Sequence, residues 1–325
     1  MKKSKKILIT GNAGFIGSNL TERLLKQGNK VVGIDIDTKK RNNLKIPDGM
    51  RIYNHDINFI SKKFTMIWDD INNIERYHFA LDDIDEVYHL AASADIRRSF
   101  MEPTLDLHNN VNGTSAVLEL IRKKNIKKLI FSSSSAVYGI AKVTPTPEFV
   151  PDIRPISLYG ASKFANEAFI HAYSDLYGIK AWMFRFANVI GKNEHRGVIF
   201  DLIKKLNTNQ KTLEILGDGK QEKSFFDVED CVSGLIGIPQ KDKNKSVEIY
   251  NLGNNKTIRI KELAEIVCDE IGVKPKFKFT GGDRGWAGDA PFTILSIDKA
   301  LETGWKLHYN IEESIRRTVR WMFEK

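Results

Sequence analysis

Short apolar, β-branched segments alternate with amphipathic helical segments over the first part of the chain, up to Ala187. The first kind is typical of buried strands, and the second kind has the period of helices. Their regular alternation predicts an α/β fold built on a parallel, doubly wound sheet. The predicted strands are Lys6–Thr10, Lys30–Ile34, Met50–Asn54, Glu86–Leu90, Lys127–Ser132 and Ala181–Phe186, and the predicted helices are Phe15–Gln27, Thr104–Lys124 and Tyr159–Tyr177.

The pattern changes after Ala187, where helical segments alternate with short strand-like segments and glycine-rich loops. This predicts a second, smaller, mixed α/β domain at residues 188–325. We expect it to be discontinuous, because a segment near 226–252 returns to the first domain, residues 1–187. Residues 58–82 fit neither pattern and receive no assignment. The predicted helices of the second domain are Val198–Asn207, Thr257–Ile271 and Ile311–Phe323.

Composition excludes several broad classes of protein. The 325 residues are 42% hydrophobic and 28% charged, which is the balance of a soluble globular protein. The net charge of +9 would suit nucleic acid, but the lysines are scattered over element ends and turns, so no nucleic-acid partner is predicted. No segment has the character of a membrane span or a signal peptide, and Cys231 and Cys268 lack the spacing of metal ligands. We therefore expect a cytoplasmic protein with no membrane association and no bound metal.

A glycine-rich turn separates the first predicted strand from the first predicted helix. Gly11, Gly14 and Gly17 stand at GxxGxxG spacing, and Phe15 and Ile16 open the helix. The first glycine permits a tight turn, the second lets the backbone approach a pyrophosphate, and the third lets helix and strand pack closely. The phosphate meets the helix N-terminus. A glycine-rich loop alone is weak evidence, but this strand-loop-helix context predicts a Rossmann-like dinucleotide site.

Acidic residues stand near the ends of two later strands. Asp35 ends the second strand, where a carboxylate bonds a ribose diol and repels a 2′-phosphate, so it favours NAD over NADP. Two alternatives stay open: Asp35 could be a solvated loop residue, and the basic residues at 39–41 could accept a 2′-phosphate. Asp56 and Ile57, after the third predicted strand, suit the adenine edge of the cofactor.

The fourth predicted strand ends in small residues. Leu90, Ala91 and Ala92 let the backbone run beside the cofactor, whereas His89 is interpreted as a packed structural histidine. Asn110 is predicted to be a buried hydrogen-bonding residue that fixes the neighbouring strand.

Hydroxyl groups and a lysine follow in an order that suits proton transfer. The serine-rich segment Phe131–Gly139 ends the fifth strand, where open α/β sheets place their sites. Tyr159 and Lys163 lie four residues apart on one face of a helix. An ammonium that close favours the phenolate and lowers a tyrosine pKa that is normally about 10. Such a tyrosine can exchange a proton with a hydroxyl near neutral pH. An isolated Tyr-x-x-x-Lys pair is usually fortuitous, but the preceding motifs support a catalytic interpretation.

Together these segments resemble the extended short-chain dehydrogenase/reductase family, and within it the NAD-dependent nucleotide-diphosphate-sugar epimerases. The similarity is greatest to the archaeal-type UDP-galactose (UDP-glucose) 4-epimerases and covers nearly the whole chain. Later segments that carry it are Arg185–Val189, Gly197–Asp201, Gly217–Gln221, Lys223–Phe225 and Asp283–Asp289.

The resemblance implies three catalytic residues. Tyr159 is the acid/base, and Lys163 holds the nicotinamide ribose and tunes Tyr159. Ser134 matches the catalytic serine or threonine, four residues before the tyrosine of the Val-Tyr-Gly signature. Relatives that eliminate water or decarboxylate carry acids in the positions of Ser135 and Ala136. Without such an acid, oxidation and re-reduction of the sugar is the chemistry that remains.

The resemblance also implies a substrate site. Asn188 matches the asparagine that bonds the substrate's diphosphate. Lys223 replaces an arginine there, and it keeps the charge but loses the bidentate fork. Trp286 stands where many members carry an arginine, and Arg284 is the nearest one. The implied substrate residues are Ser134, Asn188, Val198, Ile215, Lys223, Arg284, Asp289 and Thr293.

The implied activity is 4-epimerisation of a UDP-hexose through a 4-keto sugar. Thr293 stands where a tyrosine excludes N-acetylated sugars in these epimerases, so the N-acetyl forms are expected to be accepted as well. One alternative is an NAD(P)-dependent 4-ketohexose reductase, which would need added cofactor for turnover. A second is a non-catalytic NAD-binding regulator, which the intact Ser134, Tyr159 and Lys163 argue against.

A homodimer is the expected assembly. The helices Thr104–Lys124 and Tyr159–Tyr177 are predicted to have apolar residues on more than one face, and in the family the matching helices pair at a dimer interface. The apolar residues in question are Val117, Leu118, Leu120, Ile121, Phe164, Ala165, Phe169 and Ala172.

Overall fold

A computed structural model describes residues 4–44, 57–60, 63–77, 79–242, 246–286 and 288–323. Its strands are β1 (Lys6–Thr10), β2 (Lys30–Asp35), β3 (Ile57–Ile60), β4 (Phe64–Trp68), β5 (Glu86–His89), β6 (Lys128–Ser134), β7 (Lys180–Phe186), β8 (Asn188–Ile190), β9 (Thr212–Ile215), β10 (Glu222–Lys223), β11 (Phe225–Asp227), β12 (Val247–Leu252), β13 (Ile258–Arg259), β14 (Lys276–Phe279) and β15 (Phe292–Thr293). Its α-helices are α1 (Phe15–Lys26), α2 (Ile96–Met101), α3 (Thr104–Asp106), α4 (Gly113–Lys123), α5 (Leu158–Tyr177), α6 (Val198–Thr208), α7 (Val228–Lys241), α8 (Ile260–Ile271), α9 (Asp298–Glu302) and α10 (Ile311–Phe323).

Eight strands form one sheet in the order β12-β7-β6-β5-β1-β2-β4-β3. Neighbours from β6 through β5, β1 and β2 to β4 pair in parallel, while β3 pairs antiparallel with β4. Helix α1 lies between β1 and β2 along the chain, α2, α3 and α4 lie between β5 and β6, and α5 lies between β6 and β7. The predicted doubly wound α/β fold is confirmed.

The strand that pairs in parallel with β2 lies in a segment that the sequence pattern left unassigned. The predicted strand Met50–Asn54 lies outside the described residues. Within the unassigned segment, β4 pairs with β2 from Val31↔Phe64 to Asp35↔Trp68. A short 3-10 helix, Ile71–Tyr77, follows it. The strand was missed because its five residues stand between lysines and aspartates, and a run that short has no clear period.

The predicted helix Thr104–Lys124 is helical throughout Thr104–Lys123, although its middle turn, Leu107–Asn112, is a π-helix between α3 and α4. Gly113 begins α4 close to the 3-10 helix, since a Cβ there would lie 2.4 Å from Ile71 Cδ1. The four apolar residues of α4 that were named for the expected homodimer are all buried in the core of the chain: Val117, Leu118, Leu120 and Ile121.

The chain divides into two compact units that interleave along the sequence. The first comprises Met1–Ser133, Ala161–Phe184 and Asp242–Ile249, and the second comprises Ser134–Gly160, Arg185–Lys241 and Tyr250–Lys325. The chain passes from one unit to the other within β6, α5, β7 and β12, and also directly after α7.

Each unit has its own apolar core. In the first, strands such as β1 and β6 bury Leu8 and Phe131 against Leu118 of α4. In the second, helices α6, α8 and α10 bury Leu202, Leu263 and Ile315 over three small sheets. Among the described residues, no helix is both long and apolar enough to cross a membrane.

Candidate active site

The glycine-rich turn leaves no room for a Cβ atom at Gly11 or Gly17. Gly11 has a φ of +71°, and a Cβ there would lie 2.7 Å from the backbone N of Ala91. A Cβ on Gly17 would lie 2.0 Å from the Gly11 carbonyl oxygen. Gly14 precedes α1 without a side-chain cap, and the first turn of α1 has no acidic residue. The amide groups and the positive dipole end at the start of α1 are therefore available to a phosphate. The first two residues of the helix, Phe15 and Ile16, are half-buried.

Asp35 is tied to this turn from the carboxyl end of β2. Its Oδ2 accepts a hydrogen bond from the amide of Ala13 at 3.0 Å, and its Oδ1 accepts one from the amide of Asp37 at 3.0 Å. The side chain is buried, so Asp35 is not the solvated loop residue that the sequence left as an alternative. A buried carboxylate beside a glycine-rich turn fits the ribose of a dinucleotide.

The carboxyl end of β4 carries two aspartates that the sequence analysis missed. Asp69 accepts hydrogen bonds from Tyr77, from Asn73 (3.0 Å) and from the Asp70 amide (2.6 Å). Burial acts to raise the pKa of Asp69, but these hydrogen bonds outweigh it and lower the pKa. Asp70 bonds the amide of Asn72 and precedes the 3-10 helix.

These two aspartates bear on the predicted adenine contact. The predicted Asp56 lies outside the described residues, and Ile57 is the first residue of the antiparallel strand β3. The strand parallel to β2 instead ends beside Asp69 and Asp70. The repeated Asp-Ile pair in the sequence, at 56–57 and again at 70–71, was the signal that could have found them.

The fourth-strand residues are held by buried hydrogen bonds. His89 contacts Thr10 Oγ1 through Nδ1 (2.7 Å) and Thr114 Oγ1 through Nε2 (2.9 Å). Burial, with a smaller effect from Lys163, lowers its pKa to about 3, so the ring is neutral. The amide of Ala91 donates to Thr10 Oγ1 at 3.3 Å. His89 is the structural histidine that was predicted, and the half-buried Leu90, Ala91 and Ala92 follow it.

Asn110 links this segment to α5. Its Oδ1 accepts from the Ser93 amide at 2.7 Å, and its Nδ2 donates to the Ser93 carbonyl (3.1 Å) and to Ser162 Oγ (2.9 Å). Asn166 in turn donates to the Asn110 carbonyl at 3.1 Å. These bonds fix the segment after β5 against the helix that carries Lys163.

Lys163 is buried, which is rare for a lysine. Its Nζ donates to the Ser132 carbonyl at 2.7 Å and lies 4.7 Å from the centroid of the Phe131 ring. Burial lowers its pKa to about 7, against the opposing effects of Glu167 and Asp106. The ammonium is thus oriented by the carboxyl end of β6.

Ser134 and Tyr159 both belong to the second unit, and the backbone between them is closely packed. Ser134 caps a 3-10 turn, its Oγ accepting from the Ala136 amide at 3.1 Å. A Cβ on Gly160 would lie 2.4 Å from the Ala136 carbonyl oxygen. The glycine after Tyr159 therefore allows the first turn of α5 to pack against the turn after Ser134. Both side chains are half-buried, and Tyr159 lies one helical turn before Lys163.

The other tyrosine near Ser134 is Tyr138, and its side chain is buried. Tyr138 OH donates to Asn251 Oδ1 at 2.8 Å, and its ring lies 4.8 Å from the Arg185 guanidinium. Burial raises the pKa of Tyr138 to about 12. It is a packed residue, unlike the half-buried Tyr159.

Several predicted substrate residues lie together in the second unit. Lys223 pairs in register with Thr293, and its Nζ contacts Asp289 Oδ1 at 2.5 Å. Asp289 also accepts from the Gly285 amide at 3.1 Å. The exposed Asn188 lies on a different strand, β8, and donates through Nδ2 at 2.9 Å to the carbonyl of Ser224, the residue after Lys223.

Three other predicted substrate residues, Arg284, Val198 and Ile215, differ from one another in exposure. Arg284 is exposed. Val198 begins α6 and packs on the apolar core of the second unit, and Ile215 is buried within that core. No group of three or more potential metal ligands occurs among residues that the structure describes.

The comparisons with known proteins identify one protein family. Residues 7–253 match the NAD dependent epimerase/dehydratase family. A putative UDP-glucose 4-epimerase of Methanocaldococcus jannaschii is 34% identical over 323 residues, which are 97% of this chain and 98% of that protein.

Two solved structures are similar over nearly the full length. One is a UDP-N-acetylglucosamine 4-epimerase from Methanobrevibacter ruminantium in complex with UDP-N-acetylmuramic acid; its TM-score is 0.85 at 28% identity, covering 99% of both chains. The other is a UDP-glucuronic acid 4-epimerase from Bacillus cereus with UDP-glucuronic acid and NAD; its TM-score is 0.85 at 27% identity, covering 98% of this chain and 99% of that one.

Proposed function

The chain belongs to the NAD-dependent epimerase/dehydratase family, and from this premise we propose that it is a UDP-hexose 4-epimerase. It is an enzyme with NAD as its cofactor. The observation that carries the proposal is Tyr159 in the first turn of α5, the helix that also carries Lys163 one turn later, with Ser134 at the start of the preceding 3-10 turn. The close packing at Gly160 supports it, because it places the backbone of the serine turn against the helix that carries the tyrosine.

The cofactor would be held by residues of the first unit. Gly11, Gly14 and Gly17 leave the α1 N-terminus open to the pyrophosphate, and Asp35 would accept from the ribose diol. We place the adenine edge at Asp70 and the following amide of Ile71, with Asp56 as the alternative. Bound NAD supplies reversible hydride acceptance from a sugar carbon.

Proton transfer would fall to Tyr159. When NAD is bound and available to accept the C4 hydride, the Tyr159 phenolate would take the proton of the sugar's C4 hydroxyl, which yields a 4-keto sugar. Ser134 donates a hydrogen bond to the same oxygen. After the keto sugar turns within the site, its other face would receive the hydride from the same cofactor, and Tyr159 would give the proton back. Lys163 stabilises the phenolate and hydrogen-bonds the nicotinamide ribose.

The diphosphate would be recognised by Asn188 and Lys223. The Lys223 ammonium is paired with Asp289, so its charge is partly neutralised before a ligand arrives. Binding of a diphosphate must compete with that carboxylate or share the ammonium with it. We expect weaker diphosphate binding than a bidentate arginine would provide.

The identity of the sugar is the more specific part of the proposal. Relatives and neighbours are named for glucose, N-acetylglucosamine and glucuronic acid forms. Thr293 is half-buried beside Lys223 in register, and its small side chain supports acceptance of a 2-acetamido group. Substitution Thr293→Tyr is expected to suppress the acetylated pair selectively, by a factor that corresponds to about 1–3 kcal/mol.

The deciding experiment is interconversion of UDP-hexoses without added cofactor, followed by NMR. The panel pairs UDP-glucose with UDP-galactose, the two N-acetyl forms with each other, and the two uronic acid forms with each other. Turnover of any pair without added nicotinamide supports an epimerase, because the cofactor is regenerated in each cycle. Turnover of a 4-keto sugar that consumes added NADH or NADPH would instead support a reductase, and no turnover of any pair would refute the proposal.

A further inference from the structure

A buried carboxylate lies one helical turn beyond Lys163. Glu167 follows Lys163 by four residues on α5, which places both side chains on one face of the helix. Each is only 2% exposed. An ammonium removed from water to this extent loses its charge readily unless negative charge is close by.

Consecutive residues of β6 hold the two charged groups. The Ser132 carbonyl accepts from Lys163 Nζ at 2.7 Å, and the Ser133 hydroxyl donates to Glu167 Oε1 at 2.5 Å. Ser133 is itself buried. The strand therefore fixes the ammonium with one residue and the carboxylate with the next.

Two other titratable groups bear on Lys163 within the first unit. Burial raises the pKa of the Asp106 carboxyl, against the opposing effect of hydrogen bonds from Ser99 and Asn110. His89 is buried and neutral. Burial lowers the pKa of Lys163, and Glu167 is the largest influence that opposes it, ahead of Asp106.

We propose that Glu167 is a positioning residue for proton transfer: anchored by Ser133, its carboxylate keeps Lys163 charged, and that charge favours the Tyr159 phenolate. The inference rests on the proposed acid/base role of Tyr159, but it does not depend on which sugar is bound. It adds a fourth residue to the machinery, acting through Lys163 without touching substrate or cofactor.

The test is the pH titration of Tyr159 in Glu167→Gln, a change that removes the charge and keeps the shape and the acceptor oxygen. Tyrosinate is followed by ultraviolet difference absorbance, with Tyr159→Phe subtracted in each background. We expect the titration to move upward by roughly one pH unit or more, because a Lys163 that has lost its positive charge no longer favours the phenolate. Turnover near pH 7 should fall about tenfold and recover at higher pH, because one pH unit changes the phenolate fraction by that factor. A purely structural role would not move the profile.

The matched control is Glu86→Gln. Glu86 is also buried and paired with a lysine, Lys5 at 2.8 Å, but it lies at the amino end of β5. Its loss should leave the tyrosine titration in place, and a shift equal to that of Glu167→Gln would overturn the proposal. So would a Glu167→Gln titration that superimposes on the wild type.

A second variant tests the proposal even if Glu167→Gln does not fold. Ser133→Ala removes only the anchoring hydroxyl, so it should move the titration in the same direction by a smaller amount, and an unchanged titration would refute the proposal. Because the titration needs no substrate, its result stays distinguishable from failure of the wild type to epimerise any sugar.

Discussion

Tyr159 and Ser134 are the residues whose removal distinguishes proton transfer from simple binding. Tyr159→Phe removes one hydroxyl and little volume, so fold and NAD binding should persist. Turnover should fall by roughly 10²–10⁴-fold, the typical contribution of a proton-transfer group, and Ser134→Ala should lose less. Steady-state epimerisation with parallel NAD titrations checks this. Near wild-type turnover in Tyr159→Phe would show that another group moves the proton.

Gly160 is a second residue at which the geometry makes a sharp demand. A methyl group there would lie 2.4 Å from the Ala136 carbonyl oxygen, so either the first turn of α5 or the turn after Ser134 must move. We expect Gly160→Ala to destabilise the protein by about 1–3 kcal/mol, as overpacking does. Turnover should fall by more than the loss of folded protein explains, since a shift of the first turn of α5 displaces Tyr159.

Gly237 provides the matched control for that substitution. It also lies within a helix, α7, but nothing lies within 4 Å of its would-be Cβ. Gly237→Ala should therefore stabilise the protein by roughly 0.5–1 kcal/mol and leave turnover unchanged. Thermal unfolding of both variants compares them directly. Equal behaviour of the two would mean that the contact at Ala136 is unimportant.

At the scale of elements, β4 changes the expected position of the adenine edge. Because β4 runs parallel to β2 and ends at Trp68, opposite Asp35, the residues after it lie at the edge where cofactors bind. Asp70→Ala is expected to weaken NAD binding by roughly tenfold, the loss of one hydrogen bond. Isothermal titration measures it. Asp56→Ala serves as the comparison, and a larger effect there would return the adenine contact to its first predicted position.

The same elements show what sequence patterns can and cannot predict. Strand β1 and helix α10 were predicted with the bounds that the structure has, because their apolar periods are clear. Strand β4 was missed because its five residues form a run too short to show a clear period. The Lys223–Asp289 contact and the Ser133–Glu167 hydrogen bond were likewise unpredictable, since both depend on tertiary packing between distant segments. The placement of Tyr159 and Lys163 on one helical face could be predicted because a single helix contains both residues.

For the whole molecule, an exposed apolar stripe on α5 supports the predicted homodimer. Phe164, Phe169 and Leu176 are 37%, 45% and 69% exposed, and the small Ala168 and Ala172 are exposed with them. The predicted contribution of α4 is reduced, because its four named apolar residues pack inside the chain. A contiguous apolar face of this kind on a helix usually marks a protein–protein contact.

Phe169→Glu tests that assembly. A charge in the middle of the stripe would have to be buried in the dimer, and the cost of burying it unpaired should convert a dimer to a monomer. Light scattering at micromolar concentration gives the mass of each species. Phe323→Glu, at an exposed phenylalanine on α10, is the control and should stay dimeric. A wild-type monomer would contradict the prediction outright, and a Phe169→Glu dimer would place the interface on a surface other than α5.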